Sequence, residues 1–200
     1  KQLNGSAHFI EHLMFKGTTK RKNTLTLTRE IDRLGAEYNA FTGKEYTGYY
    51  IKADASYSET LIDILSDMLY NSLFDAKEME REKNVVSEEL RMYNDNPVMH
   101  IDSLFEQVLF AGCPLGWDIG GTPQLVMNYK RAEVLKFRDN HYDPANMTIV
   151  LAGAITPETK NLLATYFGAK ASKKSTFGSY KPAVFGSAAK SARFRVEEKK

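Results

Sequence analysis

Apolar residues recur at helical spacing along most of the chain up to residue 168. The clearest case is residues 57–73, where Leu61, Ile64 and Leu65 fall on one face together with Met68. Spacings of three and four residues are typical of amphipathic helices. The pattern predicts helices at about residues 4–15, 26–34, 57–73, 76–93, 98–110, 129–141 and 157–168.

Shorter segments have the composition of strands. Residues 36–41 and 46–53 are rich in Tyr, Phe and Thr on either side of Thr42-Gly43-Lys44, which predicts an antiparallel hairpin. Residues 146–152 carry a β-branched run that predicts a buried strand, and residues 192–196 look like the start of another. Helices and strands in mixed blocks with a hairpin favour an α+β fold over a doubly wound parallel sheet.

Composition is that of a globular protein, since 42% of the 200 residues are hydrophobic and 26% are charged. The formal net charge of +2 predicts no nucleic-acid partner and no attraction to an anionic membrane. The single cysteine, Cys113, excludes an internal disulfide and a thiolate zinc cluster. No apolar run approaches the ~18 residues of a membrane span.

Composition also suggests a boundary within the chain. From Ala169 onward Lys, Ser, Gly, Ala and Pro dominate, as in a linker. We therefore predict one domain over residues 1–168, followed in residues 169–200 by a linker and the start of a second, truncated domain. Because a helical pattern begins almost at Lys1, we also expect that sequence upstream has been removed.

The strongest chemical signal is the pentapeptide His8-Phe9-Ile10-Glu11-His12. Residues four apart share one face of a helix, so both imidazoles can reach one metal ion. The Glu11 carboxylate overhangs the same face and could take a proton from a water molecule at the metal, as hydrolysis at a zinc ion requires. The alternative is a pair of exposed helix histidines beside a surface glutamate.

A catalytic zinc ion usually has three protein ligands, so two histidines leave one to be found. On the charged helix that follows residue 76, Glu82 and Glu89 are seven residues apart and share a face. If this helix packs beside the first, Glu89 could reach the metal and Glu82 could orient a histidine from behind. We expect Glu78, Glu80 and Glu88 to face solvent.

These residues resemble the inverted zincin motif, His-x-x-Glu-His, of the pitrilysin/insulinase (M16) metallopeptidases. That family has a glutamate ligand some 75 residues beyond the second histidine, with another glutamate seven residues before it. Here 76 residues lie between His12 and Glu89, and Glu82 precedes Glu89 by seven. Glu88 would give 75, but Arg81 stands seven residues before it. The similarity covers about residues 3–168 and includes the stretches that begin at Asn4, Asn39, Pro114 and Tyr142.

The resemblance implies a zinc endopeptidase in which His8, His12 and Glu89 hold Zn²⁺ and Glu11 is the general base. It also implies the family's α+β fold, in which helices are layered against a mainly antiparallel sheet whose first strand would lie upstream of this chain.

Two kinds of partner follow from the same resemblance. Asn39, Ala40 and Phe41 match a strand whose backbone pairs with an extended peptide substrate, although Asn39 could also be an ordinary residue at a strand end. Family members pair the metal-bearing domain with a second, homologous domain or subunit that closes a chamber over the peptide. We therefore expect this chain alone to bind zinc but to cleave poorly.

Other functional classes stay open at this point. A non-catalytic subunit or scaffold of the same fold is the main alternative, although such members typically lose motif residues that this sequence keeps. A module that binds a peptide or a metal without cleaving is another. The sequence does not fix the compartment; a bacterial cytoplasm is favoured over a mitochondrial matrix or a periplasm.

Overall fold

The computed structural model describes residues 2–168 and 194–198. In these residues the fold consists of helices packed around one antiparallel hairpin. The elements in chain order are α1 (Ser6–Met14), α2 (Thr24–Arg33), β1 (Glu37–Thr42), β2 (Thr47–Lys52), α3 (Ser58–Asn71), α4 (Ala76–Asp95), α5 (Pro97–Leu109), α6 (Pro123–Met127), α7 (Arg131–His141) and α8 (Pro157–Phe167). The predicted α+β class is confirmed.

The helices predicted from the hydrophobic pattern are confirmed, and their ends differ from the prediction by at most two residues. Capping side chains explain where several begin. The Asn23 side chain accepts a hydrogen bond from the Thr26 amide at the start of α2, and Asp75 caps α4 in the same way. The short helix α6 was not predicted, because five residues are too few to show a helical repeat.

The predicted hairpin is also confirmed. Strands β1 and β2 pair antiparallel, and the amide of Gly43 donates to the carbonyl of Tyr46, 2.7 Å away, to close the turn. Backbone groups of alternate residues point to opposite edges of an antiparallel strand. Because Gly43 bonds toward β2, the amide and carbonyl of Ala40 point to the other edge of β1, which pairs with no strand of the described residues.

The hydrophobic core surrounds α1. Phe9, Ile10, Leu13 and Met14 have no solvent exposure, and α1 contacts β1, α4 and α7. Fully burying side chains of this size contributes about 1.5–3 kcal/mol each. The helix that carries the histidine pair is therefore held in place by fully buried side chains.

A buried arginine fixes the chain that follows α1. Arg21 is 6% exposed, and its guanidinium donates to Glu30 at 2.7 Å, to Asp63 at 2.9 Å and to Asp67 at 3.0 Å. A planar guanidinium can serve several carboxylates at once. These ion pairs join the segment between α1 and α2 to α2 and α3.

The predicted buried strand at residues 146–152 is wrong. This segment has no strand, and the side chains of Ile149 and Val150 are 41% and 81% exposed. A β-branched run forms a strand only where a neighbouring strand accepts its backbone hydrogen bonds. Within the part of the chain that the structure describes, the sheet contains β1 and β2 alone, and this segment pairs with neither.

Beyond residue 168, the structure describes only residues 194–198. Residues 194–196 of the predicted last strand carry no strand, and Phe194 and Val196 are largely exposed. The remaining residues of that strand and the predicted linker lie outside the described residues, and the boundary after residue 168 stays a prediction. No helix of the described ranges combines the length and the apolar character needed to cross a bilayer.

Candidate metal centre

Helix α1 presents its polar face to a cleft. His8, Glu11 and His12 are partly exposed on this face, while Phe9 and Leu13 are fully buried behind them. The division follows from helical geometry, since residues 8, 11 and 12 lie on one side and residues 9 and 13 on the other. The buried side therefore fixes the orientation of the polar side.

The three predicted metal ligands come together in space. The Nε2 atoms of His8 and His12 are 3.3 Å apart. Glu89, from α4, places Oε2 3.3 Å from His12 Nε2 and Oε1 3.8 Å from His8 Nε2.

These separations can be compared with the geometry of a zinc site. Ligand atoms at about 2.0–2.1 Å from a tetrahedral zinc ion are separated from one another by about 3.3 Å. The two imidazoles and the carboxylate therefore fit a zinc ion in both donor chemistry and spacing, and they leave a fourth position for water or substrate.

Glu88, the neighbour of Glu89, does not take part in this cluster. Its side chain is exposed and pairs with Arg91 one turn further along α4. This matches the expectation from the spacing of the glutamates. Glu80 is exposed as expected, whereas Glu78 is only partly exposed and pairs with Arg81.

Glu82 lies behind the histidine pair, as predicted. Its Oε1 accepts a hydrogen bond from His12 Nδ1 at 2.9 Å, and its side chain is only 5% exposed. This bond fixes the imidazole so that Nε2 faces Glu89. Lys16, which sequence reasoning missed, holds the other oxygen of Glu82 at 2.7 Å. Lys16 lies four residues after His12 in the sequence, and this spacing could have indicated that the two side chains are close.

Glu11 lies beside the three ligand atoms rather than among them. Its carboxylate accepts a hydrogen bond from the hydroxyl of Thr42, at the end of β1. Thr42 was not singled out from the sequence, although it directly follows the predicted substrate strand. The bond fixes one oxygen of Glu11, and the other oxygen has no hydrogen-bond partner among the described residues.

The protonation of the cluster follows from its contacts. Burial, followed by the proximity of His12, lowers the pKa of His8. Burial also acts to lower the pKa of His12, but hydrogen bonds to Glu82 and Glu89 outweigh it and raise that pKa to about 9. The same bond from His12 lowers the pKa of Glu89. Without a metal, a protonated His12 therefore sits between two carboxylates, where a divalent cation would replace its proton.

The cluster opens into a cleft of about 390 Å³. One wall is formed by β1 and the other by α4, α5 and the loop before α6. Of the predicted substrate residues, Ala40 and Phe41 line the cleft. Asn39 does not line it; its side chain is exposed, and its Oδ1 accepts a hydrogen bond from the Ala40 amide at 2.8 Å. The other lining residues include Thr42, Tyr93, Met99, Ser103, Asp118, Ile119 and Gly120.

A lysine joins the two walls of the cleft. Lys44, in the turn of the hairpin, places Nζ 2.7 Å from Glu106 of α5 and donates to the carbonyl of Trp117 at 2.6 Å. Residues 44 and 106 are distant in sequence, so nothing in the local pattern indicated this contact. It fixes the hairpin turn relative to α5 and keeps the walls at a set distance.

Two sequence models from one protein family match the chain. The model described as Insulinase (Peptidase family M16) matches residues 1–122, and the one described as Peptidase M16 inactive domain matches residues 128–200. The zinc protease YmxG of Bacillus subtilis, itself described as uncharacterized, is 34% identical over 181 residues, which are 90% of this chain and 44% of that protein.

Two further proteins extend the comparison. The beta subunit of the mitochondrial-processing peptidase of Caenorhabditis elegans is 32% identical over 166 residues, which are 82% of this chain and 36% of the subunit. The crystal structure of the periplasmic protease PqqL from Escherichia coli matches with a TM-score of 0.81 at 22% identity, over 92% of this chain and 21% of that one. The chain thus spans less than half the length of each. Because the first sequence model covers well over half of the 200 residues, the chain belongs to the insulinase family of peptidases, family M16.

Proposed function

We propose that this chain is the metal-binding part of a zinc endopeptidase that hydrolyses peptides or unfolded segments. The observation that carries the proposal is the convergence of His8, His12 and Glu89 on one point, with Glu11 beside it in an open cleft. Support also comes from relatives that are named zinc proteases.

Each polar residue of the cleft has a role in this proposal. A zinc ion held here would polarise a peptide carbonyl and lower the pKa of a water ligand to about 7. Glu11, oriented by Thr42, takes the proton of the attacking water and passes it to the leaving amine. Glu82 keeps the imidazole of His12 in the orientation that presents Nε2.

The free edge of β1 is the proposed binding site for the peptide backbone. The amide and carbonyl of Ala40 point to this edge, and Ala40 and Phe41 line the cleft beside Glu11. An extended peptide that pairs there would lie along the wall next to the metal. Binding through the backbone selects chain extension, so cleavage preference would depend on the pockets between β1 and α5.

We further propose that a second, homologous domain or subunit completes the enzyme. In the described residues the cleft has walls from β1, α4 and α5 and is open to solvent between them. The chain spans 44% of the length of its Bacillus subtilis relative. A second domain would close the chamber and contribute further contacts to the substrate.

Replacing Glu11 with Gln, in a longer protein that includes the proposed second domain, tests the mechanism. The amide cannot accept the proton, so we expect cleavage of an unstructured peptide mixture, followed by mass spectrometry, to fall by at least about 100-fold. Bound zinc, measured by atomic emission, should stay near one equivalent. Glu88 is an exposed glutamate on α4, and Glu88→Gln is the matched control, which should change neither cleavage nor bound zinc. Undiminished cleavage by the Glu11 variant would refute the assignment of the general base.

Metal binding distinguishes the proposed peptidase from the alternative, a non-catalytic scaffold of the same fold. The scaffold does not require a metal, whereas the proposed peptidase must bind one zinc ion through His8, His12 and Glu89. Glu89→Ala should weaken zinc binding by at least about 100-fold as a ligand is lost, and Glu88→Ala should not. A wild-type chain that stays free of zinc after supplementation would favour the scaffold.

A further inference from the structure

Residues 118–121, here called the 118–121 loop, lie directly against the N-terminal end of α1. A Cβ atom on Gly5 would lie 2.2 Å from the carbonyl oxygen of Gly120, and one on Gly121 would lie 2.5 Å from the carbonyl oxygen of Asn4. Both Gly5 and Gly121 have positive φ, of 91° and 79°. The loop and the start of α1 are therefore in backbone contact that only glycine allows.

Asp118 fixes this loop on two sides. Its carboxylate accepts hydrogen bonds from the amide of Gly120 at 2.9 Å and from the hydroxyl of Ser103, on α5, at 3.0 Å. Its backbone carbonyl accepts a hydrogen bond from the side-chain amide of Asn4 at 3.0 Å. One residue thus connects α5, the 118–121 loop and the segment that enters α1.

Gly120 lies between the two helices that carry the candidate ligands. A Cβ atom there would be 3.5 Å from Nδ1 of His8 and 2.4 Å from a methyl group of Leu90. His8 belongs to α1, and Leu90 directly follows Glu89 on α4. The spacing between the histidine pair and Glu89 is therefore set in part by the backbone of Gly120.

The two histidines differ in how their rings are held. His12 is fixed by the hydrogen bond from Nδ1 to Glu82. The Nδ1 atom of His8 is buried and has no hydrogen-bond partner among the described residues. The ring of His8 is therefore oriented by packing, and the surface it packs against includes Gly120.

We infer that the 118–121 loop positions His8 for the metal, with Asp118 as the positioning residue that fixes the loop. The inference rests on the proposed metal site. Packing against the 118–121 loop orients the ring of His8, whereas the hydrogen bond to Glu82 orients the ring of His12. We assign the effect of the carboxylate to the geometry of its two hydrogen bonds.

Zinc affinity, measured by competition with a chromophoric chelator, tests the inference. Asp118→Ala loses both carboxylate hydrogen bonds, and we expect zinc affinity to fall about 10-fold, as for other residues that orient a ligand. Asp118→Asn retains an acceptor for the Gly120 amide and a donor for the Ser103 hydroxyl, so its affinity should stay within about 3-fold of wild type. Ser103→Ala loses one of the two hydrogen bonds, so its zinc affinity should lie between those of Asp118→Ala and Asp118→Asn.

Asp54→Ala is the matched control. The Asp54 carboxylate likewise accepts from a backbone amide two residues later and from a serine hydroxyl, but it is remote from the cleft lining. Its loss should leave zinc affinity unchanged. The visible spectrum of the Co²⁺-substituted protein gives a second measurement, which should change in Asp118→Ala and not in Asp54→Ala, because the spectrum reports the geometry of the ligands.

Three outcomes would overturn the inference: unchanged zinc affinity in Asp118→Ala, an Asp118→Asn variant as weak as Asp118→Ala, or an equal loss in Asp54→Ala. If Asp118→Ala does not fold, an unchanged affinity in Ser103→Ala contradicts the inference instead. These outcomes can be distinguished from failure of the proposed function. In that case the wild-type chain would bind no zinc, and Asp118 would have no metal site to position.

Discussion

At the scale of single residues, the proposed metal centre depends on unequal surroundings for its two histidines. His12 lies between the carboxylates of Glu82 and Glu89, which stabilise its protonated form. Burial and the neighbouring His12 disfavour protonation of His8. A metal ion needs both imidazoles neutral. Metal binding is therefore coupled to the loss of a proton from one histidine and not from the other.

The first prediction follows from this coupling. Because the pKa of His12 is raised to about 9 and that of His8 is lowered, zinc binding at pH 7.5 should release about one proton. Isothermal titration calorimetry in buffers with different ionisation enthalpies measures this number. Zinc affinity should rise with pH up to about 9 and then level off. A binding enthalpy that does not depend on the buffer would contradict the prediction.

The same shift fixes the sign of a stability change in the metal-free protein. The pKa of His12 in the folded protein lies above its ordinary value of 6.5, so its contribution to stability is fully present below about pH 6.5 and is lost as the pH rises through about 9. Glu82→Gln serves as the control, since a neutral amide no longer favours the imidazolium. In that variant both the proton release and the loss of thermal stability between these pH values should become smaller.

At the scale of elements, the two edges of β1 have different surroundings. One edge pairs with β2, whereas the other pairs with no strand of the described residues and carries the amide and carbonyl of Ala40 beside the cleft. The Asn39 side chain already accepts a hydrogen bond from the Ala40 amide. A peptide that pairs with the Ala40 amide must therefore replace this internal hydrogen bond.

The second prediction concerns this edge. In the Glu11→Gln background, which prevents cleavage, a fluorescent extended peptide should bind more weakly when its backbone amides on one edge are N-methylated, because methylation removes donors of the new strand. A loss of about 10-fold corresponds to one or two net hydrogen bonds. Methylation of the amides on the opposite edge of the same peptide is the control. Equal loss for both peptides would argue against strand addition at β1.

Sequence predicted the elements well where their signals are local. The helical repeat of α3 is a property of a few neighbouring residues, and the predicted helix is confirmed. The segment 146–152 failed because a strand depends on a partner that local composition does not reveal. For the centre itself, spacing on one helix pointed to the histidine pair, whereas the contacts of Thr42 and Asp118 join residues distant in sequence and had no local signal.

At the scale of the whole molecule, core and candidate site share one helix. α1 buries Phe9, Ile10 and Leu13 completely and presents the histidine pair on its other side. All proposed ligands come from α1 and α4, which pack against each other. Zinc binding should therefore need only this chain, whereas an enclosed cleft needs surface from elsewhere. Metal binding and turnover are separable on this view.

The third prediction makes that separation explicit. A chain extended to the length of its relatives, with the proposed second domain, should bind zinc with the same affinity as these 200 residues, because His8, His12 and Glu89 are all present in both. Its kcat/KM for an extended peptide should be at least about 100-fold higher, since closing the chamber excludes water and holds the scissile bond against Glu11.

The measurement compares both proteins with matched zinc content, and Glu11→Gln in the longer protein controls for contaminating peptidases. Equal turnover by the two proteins would show that the open cleft is already a complete active site, and tighter zinc binding by the longer one would show that the second domain contributes to the metal centre.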